Sequence, residues 1–284
     1  MRHVAVHGGR VLNAMSVDVE EWFQVGAFEQ VIDRADWDGL ASRVADNTAV
    51  VLDMFARAGV QATFFTLGWI AERRPALIRR IVAEGHEIAS HGWDHRRVFT
   101  MNAEAFRADL ARARAVIEDA AGTPVTGYRA PSFSIDARTP WAHAVLAEEG
   151  YRYSSSVAPV AHDHYGWRQA PRYAFRPLPD AGLIELPVTV AEVAGRRLAT
   201  GGGFFRMLPA AITDFAVRQV NAEAQPAVFY FHPWEIDPDQ PRVADAPLRS
   251  RIRHYSRLGA MAGKLEGLLA RHAWGRVDAV IAGA

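Results

Sequence analysis

Apolar and polar positions along this chain follow two periods, and the switches between them lay out its elements. Val11 to Val19 reads as a strand, with Asp18 near its end and Glu20 and Glu21 directly after it. Trp22 to Asp38 has neither period; aromatic and acidic, it suits a long loop beside a site. Asn47 is placed to cap a helix whose apolar stripe is Val50, Val51, Met54 and Phe55, with Gly59 as its stop. Gln61 to Leu67 is strand-like, Pro75 opens a helix over about 76–83, and Gly85 turns the chain into a short strand, His86 to Ser90. Asn102 predicts an N-cap for a long amphipathic helix reaching about Ala121, in which Phe106, Leu110, Ala113 and Ile117 recur at helical spacing.

The second half repeats the alternation. VTGYRAPSFSI reads as a strand leading to Arg129 and Pro131, followed by a helix from Pro140 to Glu149, stopped by Gly150. Tyr151 to Val157 is a strand, then comes a loop rich in Pro, His, Tyr and Trp, then a strand from Leu183 to Val190 carrying Glu185. Gly201 to Gly203 precede Phe204-Phe205-Arg206, without the Lys and Ser/Thr of a phosphate cradle, so a tight backbone turn near the cleft is expected. A helix from Leu208 to Ala222 leads to the continuous apolar strand Pro226 to His232. Leu248 to Arg271 reads as one terminal helix with Leu258, Met261, Leu265, Leu268 and Leu269 on its apolar side. Strand–helix alternation over 284 residues favours a barrel-like α/β fold around a parallel sheet.

Composition narrows the chemistry. Lys+Arg and Asp+Glu each number 32, so net charge argues for neither nucleic acid nor an anionic membrane as partner. No stretch approaches the ~20 apolar residues of a membrane helix. Met1 to Ala14, with Arg2, His3, His7 and Arg10, has no apolar run long enough for a signal peptide, so a cytoplasmic protein is expected, with a periplasmic one as the alternative. With no cysteine, a zinc site must use histidine and carboxylate.

Such ligands stand in HEIASHGWDH, where His91 and His95 are four apart; in a helical turn that spacing puts both imidazoles on one face. Asp18 and Glu20, His91 and His95, Arg129, and His232 all fall at or just beyond C-terminal strand ends, the rim on which active sites of parallel barrels are built. Two histidines and a carboxylate leave an open metal position for water. A second carboxylate can take that water's proton, an arginine can hold the base ionised, and a histidine opposite can protonate a departing group.

These stretches resemble a known family. SVDVEEW, SHGWDH, YRAPSFS and YFHPWE are similar to motifs of the NodB-type polysaccharide deacetylases, carbohydrate esterase family four. GYRYSSSVAP, TGGGFFRMLP and IRHYSRLGAMAGKLEGLL resemble the branch found beside exosortase and exopolysaccharide loci. The resemblance spans about Asn13 to Gly275. It implies a distorted (β/α) barrel of about seven strands in one domain, the catalytic barrel over about 13–240 and a helical extension over 241–284. It implies a divalent metal, zinc first, with cobalt or nickel accepted by the same donors. The activity implied is removal of acetyl groups from N-acetylated sugars, with exopolysaccharide-synthesis machinery as partner. By motif, Asp18 matches the catalytic base, His91 and His95 the metal histidines, Arg129 the arginine bracing the base, and His232 the general acid.

Two positions depart from the family pattern. Val19 stands where a second aspartate usually ligates the metal, which moves the ligand to Glu20; Glu21 is the rival, directed to the opposite side if the chain is still extended. Ser154 stands where an aspartate usually tunes the acid histidine, leaving Glu185 as the nearest substitute by motif. Trp22, Pro131, Ser132, Phe133 and Trp234 are expected at the substrate, with Trp93 and Trp167 as further stacking surfaces and backbone N–H groups near Ser132 or Phe133 as oxyanion donors. Hydrolysis of cyclic imides or allantoin-like amides on the same barrel is one alternative. A decayed, non-catalytic carbohydrate-binding or scaffold protein is the other.

Overall fold

The computed structural model describes residues 5–161 and 165–282. Arg2 and His3, and His162 and His164 of the aromatic loop, lie outside the described residues. The strand and helix alternation expected from the sequence is present. Seven parallel strands curl into a distorted (β/α) barrel in the order β7-β6-β5-β4-β3-β2-β10. They are β2 (Arg10–Val19), β3 (Thr63–Thr66), β4 (Glu87–Ser90), β5 (Gly127–Tyr128), β6 (Tyr153–Ser154), β7 (Ile184–Glu185) and β10 (Val228–Phe231). Past β7, Thr189 N–H donates to the Val228 carbonyl and Val228 N–H to Thr189 Oγ1, drawing the two ends of the curl together. Two short strands flank β2: β1 (Val6–His7), antiparallel, and β11 (Ala273–Gly275), parallel beside Leu12 to Ala14. A separate hairpin pairs β8 (Val190–Val193) with β9 (Arg196–Ala199).

Helices cover the outside: α1 (Val44–Ala58), α2 (Gly68–Arg73), α3 (Pro75–Ala83), α4 (Ala103–Ala121), α5 (Ala142–Glu148), α6 (Gly202–Met207), α7 (Ala210–Ala222), α8 (Leu248–Tyr255) and α9 (Leu258–Arg271), while α10 (Val277–Ala282) packs Val277 and Val280 into the interior cluster. The α4 start is as read, with the Asn102 side chain accepting from Ala105 N–H at 2.8 Å. Three readings change. Helix α1 begins at Val44, so Asn47 lies inside it and donates to Asp237 instead of capping. The expected terminal helix is two, broken at Arg257, whose φ of 58° cannot continue a right-handed helix. Gly201 and Gly202 open α6 against the Tyr230 ring, which a Cβ would meet at 2.5 and 2.8 Å.

The two-residue period of the strands sorts side chains between two apolar layers. On β2, Met15, Val17 and Val19 pack outward under the helices, while Ala14 faces the barrel interior. On β10, Phe229 and Phe231 face outward, and Val228 and Tyr230 inward. Gly127 on β5 leaves room for Tyr153, whose ring a Cβ would meet at 2.1 Å. Burying a large apolar side chain on either layer contributes roughly 1.5–3 kcal/mol, so register is strongly fixed. It places Val19, Thr66, Ser90, Tyr128, Ser154 and Glu185 in one row across the sheet, and Phe231 beside Val17.

Candidate metal and catalytic site

Glu20, His91 and Arg129 each follow that row by one step, His232 follows Phe231, and Asp18 stands one step before Val19. Ser16, Asp18 and Glu20 continue the inward parity of Ala14, and His232 continues that of Val228 and Tyr230. The same parity turns Val19 into the outer core, fully buried, which disposes of it as a ligand. Glu21 leaves the site as well: its carboxylate accepts from Arg43 N–H at 3.0 Å and from the Ser42 hydroxyl.

Glu20, His91 and His95 each present a ligand atom, all within 4.8 Å of one another. His91 Nδ1 lies 2.8 Å from the Arg129 carbonyl, which can only accept; Nδ1 therefore carries the proton and Nε2 keeps its lone pair for a metal. Burial and the neighbouring His95 lower the His91 imidazole to about 3, so it is neutral at pH 7. His95 is not in a helical turn, as its spacing suggested. It sits in a bend with φ of 61°, a left-handed conformation that folds the loop back toward His91. Glu20 Oε1 accepts from the Trp234 indole at 3.0 Å. Its Oε2 lies 2.9 Å from His95 Nε2 and has no well-formed hydrogen bond among the described residues. Burial raises the Glu20 carboxyl, but His95, His232 and His91 together bring it below its usual value. A buried carboxylate oxygen without a well-formed hydrogen bond, beside two imidazole nitrogens, fits a divalent cation.

Asp18 and Arg129 form a buried pair beside this cluster, Oδ1 to Nη1 at 2.6 Å. The guanidinium also donates to Ser16 Oγ (2.8 Å), Ser155 O (3.0 Å) and Ser155 Oγ (2.9 Å), and lies over the Phe65 ring. His232 Nε2 points into the same space, 4.0 Å from Asp18 Oδ2 and 3.6 Å from Glu20 Oε1. Its Nδ1 is 3.0 Å from Glu235 Oε2. Burial disfavours the imidazolium, yet the Glu20, Glu235 and Asp18 carboxylates raise it to about 9.

The carboxylate on His232 is thus Glu235 and not Glu185. Glu185 bonds His143 at 3.0 Å and accepts from the Ser156 and Val157 N–H groups, away from His232. Ser154 donates to Ser156 Oγ. The aromatic surface also differs from expectation. Trp22 and Trp234 are 4 % and 6 % exposed in one aromatic cluster, with the Trp22 indole on the Ala41 carbonyl. Trp93 and Phe133 are buried too, Trp93 beneath Arg112, and Trp167 packs against the core. Phe133 N–H donates to the Ala130 carbonyl, so it is engaged and not free for an oxyanion. Pro131 is buried and Ser132 half-buried, in a left-handed turn of φ 54°. A cavity beside His95 is lined by Phe23, Gln24, Arg34, Trp37 and Arg97. The Gln24 amide and Trp37 indole nitrogens have no hydrogen-bond partner among the described residues. Glu235, Arg206 and Ser155 were not picked out from sequence, although Glu235 closes the YFHPWE stretch and Arg206 follows the triple glycine.

Comparison with known proteins agrees with this architecture. Residues 36–154 match the sequence family Polysaccharide deacetylase, and residues 155–282 match a Domain of unknown function (DUF3473). Residues 36–154 thus form a polysaccharide deacetylase domain of the NodB type, carbohydrate esterase family four. Over 94 residues it is 34% identical to the peptidoglycan-N-acetylglucosamine deacetylase PgdA of Listeria monocytogenes, covering 33% of this chain and 20% of that one. Over 48 residues it is 54% identical to the chitooligosaccharide deacetylase of Sinorhizobium fredii, 17% of this chain and 22% of that one. The chain therefore spans about a fifth of the length of these two relatives. A solved structure from Mycobacterium smegmatis, presented as a candidate polysaccharide deacetylase, shares the fold at a TM-score of 0.60 and 22% identity, covering 97% of this chain and 90% of that one. The Puue allantoinase structure shares it at 0.62 and 16% identity, covering 96% and 89%. Among the described residues no helix is long and apolar enough to cross a membrane.

Proposed function

We propose that this chain is a metal-dependent hydrolase that removes N-acetyl groups from an N-acetylhexosamine-containing polysaccharide or its precursor. The observation that carries this reading is the convergence of Glu20, His91 and His95 within 4.8 Å, with Asp18 and His232 beside them. Glu20, His91 through Nε2 and His95 through Nε2 would hold the ion. When bound, a divalent metal, zinc foremost and cobalt or nickel as alternatives, polarises an acyl oxygen and makes water acidic enough to attack at neutral pH. Asp18 Oδ2 takes the proton of the attacking water, because Oδ1 is held by Arg129. Arg129 fixes that carboxylate in the buried site through a 2.6 Å ion pair. His232 Nε2–H gives its proton to the departing nitrogen, and the products are acetate and a free amino sugar.

Ser132, half-buried in its left-handed turn, is the substrate contact we retain from the motif. We treat the chain as one domain, a barrel over about 13–240 and a C-terminal extension over 241–284, acting with exopolysaccharide-synthesis machinery. The names of the curated relatives support the substrate class. Cleavage of an allantoin-like amide is the second reading, raised by the fold shared with an allantoinase.

Elemental analysis of the purified protein, with acetate release measured on N-acetylglucosamine oligomers and allantoin assayed alongside, tests this. The expected result is near-stoichiometric metal and acetate release that falls about 10²–10⁴-fold in folded Asp18→Asn and His232→Ala proteins. Full activity in both variants, or allantoin cleavage without acetate release, overturns it. A protein that binds no metal is the decayed scaffold.

A further inference from the structure

Resting on that reading, we propose that Glu235, backed by Arg206, is the positioning residue of the general acid. On this view the C-terminal segment matched to a family of unknown function builds the acid half of the site. The place usually held by an aspartate is Ser154, turned away onto Ser156. The substitute arrives from the same strand end as the acid itself. Pro233–Ile236 is a single 3-10 turn, and its tight pitch returns Glu235 to His232, three residues back. Glu235 is fully buried, and one carboxylate oxygen accepts from both the His232 backbone N–H (3.1 Å) and Nδ1–H (3.0 Å). With Nδ1 fixed as a donor to a carboxylate, the ring cannot flip, and Nε2–H is the atom left facing Asp18 and Glu20.

The other carboxylate oxygen accepts from Arg206 Nε at 3.1 Å. Arg206 in turn donates to the Arg253 carbonyl at 2.7 Å and to the Ser256 carbonyl, so the guanidinium is anchored at the C-terminal end of α8. Lys264 of α9 holds the carbonyls of Phe205, Arg206 and Leu208 at 3.1, 2.8 and 2.7 Å, fixing the turn that carries Arg206. Trp234 lies flat between His232 (5.3 Å) and His254 (4.2 Å) while its indole N–H reaches Glu20. Every member of this scaffold except Glu20 lies beyond residue 200. Glu235 takes no proton in the reaction; the proton passes from His232 Nε2 to the leaving nitrogen.

The competing view is that Glu235 only caps its turn. Glu235→Gln separates the two when turnover of an N-acetylglucosamine oligomer is compared with that of para-nitrophenyl acetate, whose phenolate leaves without a proton. We expect kcat on the amide to fall about 100-fold at nearly constant KM, and ester turnover to fall less than about 10-fold. Equal losses on both substrates, or no loss on the amide, overturn the proposal. If the wild-type protein cleaves the ester but not the amide, the deacetylase reading fails, and proton NMR of the metal-free protein still decides the positioning role. A downfield His232 Nδ1 proton, identified by its absence in His232→Gln, should disappear in Glu235→Gln; its persistence there overturns the proposal. Should Glu235→Gln fail to fold, the double variant Glu235→Gln/Arg206→Met removes both buried charges together, and the same outcomes apply.

Discussion

Removing the guanidinium behind the base tests how the buried pair is held. In Arg129→Met, Asp18 loses a 2.6 Å partner while only 2 % exposed, and Ser155 loses donors to both its carbonyl and its hydroxyl. Two unit charges ~4 Å apart attract by about 4 kcal/mol at an effective dielectric of ~20. Breaking a buried pair from one side costs about 3–5 kcal/mol, because the remaining charge is stranded. Loss of ~4 kcal/mol is a large part of the 5–15 kcal/mol that holds a typical domain. The assay is urea unfolding of metal-free protein at pH 7 for wild type, Arg129→Met, Asp18→Asn and the double variant. The double variant strands no charge, so it should be more stable than the sum of the single losses predicts, with a coupling of about 1.5–3 kcal/mol. A coupling below ~0.5 kcal/mol would refute the reasoning, because Asp18 and Arg129 would then be independent.

Three further outcomes follow from other parts of the molecule. Zinc at about 100 times its Kd should stabilise the wild-type protein by about 2.7 kcal/mol in a thermal melt, and should stabilise Glu20→Gln far less; an equal shift in both would remove Glu20 from the ligand set. Asp109, whose carboxylate lies 3.2 Å from Trp93 N–H, is raised by burial and by Asp94 to about 7. Its folded pKa lies above the unfolded one, so its contribution is full below about pH 4 and is lost as pH rises to about 7. Urea titrations should show this decline flattened in Asp109→Asn, and an unchanged pH profile would contradict the assignment. Gly201→Ala places a Cβ 2.5 Å from the Tyr230 ring and should cost about 1–3 kcal/mol in the same assay, with an unaltered midpoint counting against close packing there.

The long elements and the site rim were legible because they carry periodic signals. The alternation Ala14, Ser16, Asp18, Glu20 against Met15, Val17, Val19 reads straight off the sequence, and the structure realises it as interior against outer core. Helix α4 was legible from Asn102 and its apolar stripe for the same reason. The strands read at VTGYRAPSFSI, Tyr151 to Val157 and Leu183 to Val190 are present but paired over only two residues each, as β5, β6 and β7, because their lengths are set by sheet neighbours and not by a local period. His91 and His95 were paired for the wrong local reason. Their spacing fits a helix, yet they meet because a strand end and a left-handed bend return the chain to one place. Glu235 was missed since motif analogy looked for the acid's partner on another strand, whereas a 3-10 turn supplies it from three residues away. Trp22 and Trp234, expected on a sugar cleft, were drawn into the core because covering the rim loop 22–40 needs large apolar surfaces.

The position of β2 has a consequence for how the chain comes together. One of its edges bonds β10, and the other bonds β3 over Ser16 to Val19 and β11 over Leu12 to Ala14; β10 and β11 lie more than 200 positions later. During synthesis, the ribosome must deliver the chain to about residue 231 before the first edge finds its neighbour, and to about residue 275 before the second is filled along its length. Until then an apolar strand with open N–H and C=O groups waits on the nascent protein, a period in which it can pair with other chains. A shortened gene product ending before Ala273 would retain every residue of the metal cluster and still leave part of β2 uncovered, making aggregation, and not loss of ligands, its first defect.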